Sequence, residues 1–212
     1  MKKCVFRAAL FDFGGVIADE GFKNGLREIA RANGLPMEEF EETAREAIHE
    51  TGYITGTGTE ASFWEILRNR TGIRGGDDEL RSTILEGFTV REWMIEVIAA
   101  LRSKGIRLAV LSDQTDWLDE LDCRTGFSRY FEQVFNSYRL GRTKREKGLF
   151  LHVLSVMHLV PGEVLFVDDT QGHVRRAAEV GLYAIYYQGK QDFLQRLSQL
   201  CPEIAPELKR LY

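Results

Sequence analysis

Four short stretches of this chain carry side chains that could do chemistry on an anion. Asp12 ends the apolar run Val5-Phe6-Arg7-Ala8-Ala9-Leu10-Phe11 and is followed by Phe13-Gly14-Gly15. Ser112-Asp113 closes a second apolar run, 106–111, and Asp168-Asp169 closes a third, 164–167. Between these two lies a basic run of Arg139, Arg142, Lys144, Arg145 and Lys147. If the three run ends meet, their carboxylates repel one another unless a cation compensates, and oxygen-only ligands favour Mg²⁺. A hydroxyl and a lysine beside such an ion make a phosphate pocket, because both donate to anionic oxygens. An aspartate between metal and phosphate is placed to act as a nucleophile, through an acyl phosphate. The chemistry implied is metal-assisted phosphoryl transfer. Each stretch alone has a plainer reading. Asp before Gly is ordinary turn chemistry, an acidic pair can cap a helix, and Lys144 could be one solvated charge of a basic run.

The elements around these residues decide whether they can meet. Apolar runs that end in a polar residue read as buried strands of a parallel sheet, and open α/β folds bind ligands at the carboxyl edge of such a sheet. Further strands are predicted over 133–136 and 183–187, with helices near 117–123, around Leu149, Phe150, Val153, Leu154 and Met157, and from Val174 to a stop at Gly181. Thr89 and Glu92 form a capping-box signature that opens a helix through Val90, Met94, Val97, Ile98 and Leu101, ending near Gly105. Strands that alternate with helices predict a doubly wound parallel α/β sheet with right-handed crossovers. From 21 to 88 the spacing is helical throughout, as in Phe22, Leu26, Ile29 and Ala30, so a small helical bundle is inserted after the first strand. The expected division is a core of 1–17 plus 89–212 and a helical insert of 18–88. The glycines of 51–58 match neither the dinucleotide fingerprint nor the phosphate loop, and that stretch reads as an inter-helix loop.

Composition sets the remaining bounds. The chain has 212 residues, 44% of them hydrophobic, enough for one domain with a large insertion. A net charge of −4 provides no basic field for nucleic acid. The start Met1-Lys2-Lys3 faintly suggests a signal peptide, but Arg7 interrupts the apolar residues, Asp12 ends them and no small-residue cleavage site follows. No stretch approaches the roughly 18 uninterrupted apolar residues of a membrane span. Cys4, Cys123 and Cys201 match neither a metal motif nor a disulfide framework, which predicts a reducing compartment and a cytoplasmic protein. His49, His152, His158 and His173 have no ligand spacing and read as surface or half-buried residues. Tyr53, Phe63, Trp64 and Trp93 read as packing of the helical insert or of its seam with the core.

Together the four stretches resemble the motifs of the haloacid dehalogenase (HAD) superfamily, in the branch with a small helical cap after the first motif. Phe11-Asp12-Phe13-Gly14-Gly15-Val16 is similar to the first motif, whose leading aspartate is the nucleophile. Leu111-Ser112-Asp113 resembles the second, where the serine binds the phosphoryl group, and Ser137 to Lys144 the third, which supplies the lysine. Phe166-Val167-Asp168-Asp169-Thr170-Gln171-Gly172-His173-Val174 resembles the acidic metal motif. The match covers roughly 5–20 and 89–190. It implies Asp12, Ser112 and Lys144 as catalytic residues, and Asp12, the Gly14 carbonyl, Asp168 and Asp169 as ligands of Mg²⁺. It also implies a phosphate site of Phe13, Gly14, Gly15, Ser112, Asp113 and Lys144, the turn residues acting through backbone NH groups. The activity implied is hydrolysis of a small phosphorylated metabolite through an aspartyl phosphate, as in sugar-phosphate phosphatase-like members.

Three departures stand out. Gly14 occupies the position where most family phosphatases carry a second aspartate as proton donor, so water or a cap residue such as Tyr53 or His49 would have to supply the proton. Asp113 replaces the usual Asn or Thr. The prolines that usually follow the lysine are absent, leaving Arg145-Glu146-Lys147. The glycine keeps two alternatives open, a dehalogenase that needs no metal and a regulatory HAD-fold module without turnover. The acidic pair argues against the dehalogenase. No motif in the insert names a substrate, and none bears on oligomeric state.

Overall fold

In the computed structural model, which describes residues 3–212, the apolar runs become five parallel strands. Met1 and Lys2, which open the basic start, lie outside the described residues. The strands are β1 (Ala8–Phe11), β2 (Arg107–Ser112), β3 (Gln133–Asn136), β4 (Val164–Asp168) and β5 (Tyr183–Tyr186). Their spatial order is β3-β2-β1-β4-β5, with Phe11 in register with both Val110 and Val167. The chain builds outward from β1 to β3 and then crosses back to β4, so the order reverses beside β1. This is the place where open α/β sheets form a ligand crevice. The fold class is therefore the doubly wound parallel one expected.

Side chains alternate between the two faces of the sheet, as the pleat requires. Ala9, Phe11, Leu108, Val110, Leu165 and Val167 pack into one apolar core, and Ala8, Leu10, Ala109, Leu111, Val164 and Phe166 into the other. In chain order the helices are α1 (Gly21–Asn33), α2 (Met37–Glu50), α3 (Glu60–Thr71), α4 (Asp77–Glu86), α5 (Glu92–Ser103), α6 (Trp117–Thr125), α7 (Ser137–Leu140), α8 (Lys147–Met157), α9 (Gln171–Val180), α10 (Lys190–Leu200) and α11 (Ala205–Leu208). Helices α5 and α10 cover the first face, and α8 and α9 the second. None of the described helices is long and apolar enough to cross a membrane.

Helices α1 to α4 all fall between β1 and β2, and no described strand interrupts them. The 51–58 loop closes into a short 3-10 turn, Tyr53–Thr55, that seats on the core. The Tyr53 hydroxyl donates to Asp116, and the Ser137 hydroxyl donates to the Ile54 carbonyl at 2.7 Å. Tyr53 and Trp64 also pack on Trp117 of α6, with ring centroids 5.6 and 5.9 Å apart. Trp93 instead stacks with Tyr187 and packs on Phe193, away from this seam.

Two sequence expectations fail. Helix α5 starts later than the Thr89–Glu92 signature implies, and no side chain caps it. The Thr89 carbonyl accepts from the Asp19 NH, and Val90 bridges Ala18. The segment leaving the insert is thus spent on pairing with the segment entering it, a long-range contact that outweighs the local cap. The cysteine reading fails as well. Cys4 and Cys201 lie side by side as a sulfur pair, with Cα atoms 3.8 Å apart across 197 residues of sequence. The Val5 NH donates to the Leu200 carbonyl, which brings the ends of two distant segments together. Spacing along the chain carries no information about such a meeting, so the step from cysteine spacing to a reducing compartment does not hold.

Helix α1 lies hard against α4 at Gly25, where a Cβ would collide with the Ile84 backbone. Gly25→Ala is expected to cost about 1–3 kcal/mol of stability through overpacking, read as a lower urea midpoint. An unchanged midpoint would show that the two helices separate freely enough to admit a methyl group.

Candidate active site

The carboxyl edge of the sheet gathers the run ends around one buried ammonium group. Lys144 is 1% exposed, and its Nζ lies 2.6 Å from Asp12 Oδ2 and 2.7 Å from Asp168 Oδ2. Strands β1 and β4 are neighbours, which places these two aspartates side by side. Burial of the lysine by itself would lower its pKa. The carboxylates of Asp12, Asp168 and Asp113 outweigh that and raise it, so the group stays charged. Oxygens of Asp12, Asp168 and Asp169 all lie within 4.8 Å of one another. Three carboxylates thus share one ammonium, and the donor set is oxygen only, which suits Mg²⁺.

The carboxylates are not equivalent. Asp168 is fully buried and does not line the cleft; besides Lys144 it accepts from the Thr170 NH at 2.7 Å and lies 3.2 Å from His173 Nδ1. Burial would raise its pKa, but Lys144 and His173 hold it below the ordinary carboxylate range. Asp12 goes the other way. Burial raises its pKa well above the usual value, Asp168 and Asp169 add to that, and Lys144 offsets only part. Asp169 faces the cleft and is raised by burial and by Asp168. Its carboxylate fills the space over Gly15, where φ is +76° and a Cβ would overlap it. The glycine is needed there on both counts.

Three residues brace this arrangement in ways that the sequence does not show. Asp113 turns its carboxylate onto the backbone NH of Lys144, at 2.9 and 3.1 Å, so its charge is used within the protein. That bond holds the lysine loop in place of the missing prolines. His173 stands between Asp168 and Asp113, its Nε2 3.9 Å from Asp113 Oδ2, and so belongs to the site. Arg91 fastens the turn after Asp12 by donating to the carbonyls of Gly15 (2.6 Å) and Val16 (3.1 Å). None of these partners follows from spacing, since each contact joins separate elements.

A cleft of about 510 Å³ opens above these groups, lined by Asp12, Gly14, Ser112, Asp113, Lys144 and Asp169 among others. Of the expected phosphate contacts, the Phe13 NH donates to Asp12 Oδ1 at 2.7 Å, and Phe13 and Gly15 do not line the cleft. Beside Gly14 stands Phe88, whose Cε1 lies 3.3 Å from where a Cβ would be, so an aromatic ring adjoins the usual place of the proton donor. Tyr53 cannot replace that donor. It is buried, its hydroxyl is engaged with Asp116, and burial and that bond raise its pKa. His49 does line the cleft, together with Lys23 and Arg45 of the helical block and with Arg145 and Arg176 of the core. Arg145, from the same basic run as Lys144, is exposed but faces the cleft, whereas Arg139 pairs with Asp119 on the outside.

Comparison with known proteins agrees with this architecture. A family model described as haloacid dehalogenase-like hydrolase matches residues 6–181. The chain is 26% identical to a D-ribitol-5-phosphate phosphatase of Bacteroides thetaiotaomicron, over 89% of this chain and 95% of that one. It is 25% identical to the bifunctional epoxide hydrolase 2 of Rattus norvegicus, over 95% of this chain, but spans only 40% of that protein's length. Among solved structures, a HAD family enzyme of Bacteroides thetaiotaomicron superposes with a TM-score of 0.74 at 22% identity, covering 92% of this chain and 98% of that one. The same enzyme has also been solved in complex with magnesium and inorganic phosphate; that form has a TM-score of 0.65 at 20% identity, covering 85% of this chain and 93% of that one. With its family model spanning most of the sequence, the chain belongs to the haloacid dehalogenase-like hydrolases.

Proposed function

We propose that this hydrolase is a Mg²⁺-dependent phosphatase of small phosphomonoesters that works through an aspartyl phosphate on Asp12. The observation that carries the reading is the cluster on the cleft floor, where Asp12 meets the buried Lys144 ammonium and the oxygen-only group of Asp168 and Asp169. The similarity to a sugar-alcohol phosphate phosphatase of matching length supports the same reading. Residues 18–88 act in it as a cap that closes over the floor.

Asp12, the Gly14 carbonyl and Asp169 would hold the metal, with Asp168 behind them holding Lys144. When bound, the ion supplies the positive charge that keeps Asp12 ionised in a buried site and polarises the phosphoryl oxygens. Asp12 attacks phosphorus through a carboxylate oxygen while the ester P–O bond breaks. Lys144 and the Ser112 hydroxyl donate to the phosphoryl oxygens. The departing alkoxide takes its proton from water, because Gly14 has no side chain to give one. A second water then attacks phosphorus, releasing inorganic phosphate and restoring the Asp12 carboxylate. A dehalogenase needs no such acidic group, so the Asp168-Asp169 pair favours the phosphatase.

Phosphate release from a panel of sugar and nucleotide monophosphates is expected to require Mg²⁺ and to fall about 10⁴-fold or more in Asp12→Asn. Release that survives this substitution would remove Asp12 from the role of nucleophile. Without a proton donor, rate should depend steeply on the leaving group. Aryl phosphates are expected to turn over at least about 10²-fold faster than alkyl phosphates, and equal rates would reveal a donor elsewhere in the cleft. Asp113→Ala removes both acceptors from the Lys144 NH and is expected to cost about 1–3 kcal/mol of stability and to lower kcat. Asp113→Asn, which keeps one acceptor, should recover most of both, and unaltered stability and turnover in the alanine variant would show that the loop needs no anchor.

A further inference from the structure

The outer wall of the cleft has a different charge balance from its floor. Helices α1 and α2 contribute Lys23, Arg45 and His49, and the core contributes Arg145 and Arg176. The acids on this wall have unequal partners. Glu41 is paired with Lys23 at 3.5 Å, Arg27 at 3.7 Å and Arg45 at 2.5 Å, three cations on one carboxylate. Glu20 accepts from the Lys23 NH at the start of α1, and Asp113 is engaged with the Lys144 NH. Arg145 and Arg176 make no ion pair with any carboxylate among the described residues, although both line the cleft.

Arg45 and His49 stand four residues apart on α2 and therefore share one helix face. Burial lowers the His49 pKa first, and then Arg145 and Arg45 press it further down, with Asp113 opposing them. Arg145 of the core and Arg45 of the helical block both line the cleft with His49, and Arg45 is itself held by Glu41 and, at 3.8 Å, by Glu42. Arg145 and Arg176, the two without a carboxylate partner, are free to meet an anion that enters the cleft.

We propose that Arg145 and Arg176, together with His49 and Arg45 of the helical block, form a subsite for a second anionic group on the leaving-group side of the substrate. The substrate class is then a small phosphomonoester that carries a carboxylate or a second phosphoryl group away from the reacting phosphorus. This rests on the phosphatase reading for what happens at the floor. The subsite itself is a matter of charge and position. Because Arg45 comes from the helical block and Arg145 and Arg176 from the core, such a substrate would also tie the two together.

The test compares matched ligands in the presence of Mg²⁺. 3-Phosphoglycerate and glycerol 3-phosphate differ by a carboxylate, and fructose 1,6-bisphosphate and fructose 1-phosphate by a phosphoryl group. The doubly anionic member of at least one pair is expected to be preferred about 10-fold or more in kcat/KM, as a charge-assisted contact implies. The pair that shows the preference identifies the second anion. Arg145→Gln, at an exposed position, should collapse that preference, and Arg145→Lys should keep part of it. Calorimetric Kd values for the same pairs give the same comparison without turnover. Phosphate release with no preference in either pair, or a preference unchanged in Arg145→Gln, overturns the subsite and leaves the phosphatase standing. Binding with the preference but no phosphate release from any ligand overturns the phosphatase and leaves the subsite.

Discussion

The site depends on a buried ammonium group between two carboxylates. Taking Lys144 out of water costs several kcal/mol, recovered only when well-placed opposite charges surround it. Asp12 and Asp168 provide these at 2.6 and 2.7 Å, and they can do so only because β1 and β4 are adjacent and in register. The strand order, the turn after Asp12 and the loop that returns from α7 to Lys144 therefore answer to one requirement. That loop has no prolines to stiffen it. It is held by its own backbone, through the Lys144 NH on Asp113.

The same triad also sets up an imbalance. One ammonium cannot satisfy three carboxylates, and the protein divides its charge unevenly among them. Asp168 receives Lys144, the Thr170 NH and His173, and is the strong acid of the group. Asp12 has Lys144 and the neighbouring Phe13 NH, faces Asp169, and resists ionisation. In the proposed reaction Asp12 must be an anion, so the geometry that buries it also makes it dependent on further positive charge. Asp168 and Asp169, adjacent in sequence, thus have separate tasks. One locks the lysine and the other opens to the cleft.

Much of this was legible in the residues, and the parts that were not share a physical cause. The strands could be read because burial on both faces of a parallel sheet leaves continuous apolar runs, and three of those runs end in the polar residues that the sheet edge then displays. The helical block could be read from the spacing of residues such as Leu26 and Ile29. Local rules failed wherever a distant segment competed. Thr89 gave up its cap to pair with Asp19, and Cys4 met Cys201 across the chain. Asp113 looked like an unwelcome charge because its partner, a backbone NH 31 residues on, has no sequence signature. His173 and Arg145 look ordinary in sequence, and only the fold turns them toward the cleft.

Gly14 is bound up with the seating of the helical block as well as with the cleft. Phe88, at the exit of the helical block, packs 5.8 Å from the Phe13 ring, adjoins Gly14, and lies so close over Gly21 at the block's entry that a Cβ there would collide with it. One aromatic ring thus joins both ends of the insert to the turn that follows Asp12. Restoring an aspartate at position 14 would press its Cβ against Phe88 at 3.3 Å, so the ring would have to give way. A ring displaced there disturbs the seam on which the helical block sits, and interiors yield little to added volume without loss. The absent proton donor and the seating of the block are therefore coupled. An aspartate at position 14 would have to be fitted against the ring that seats the helical block.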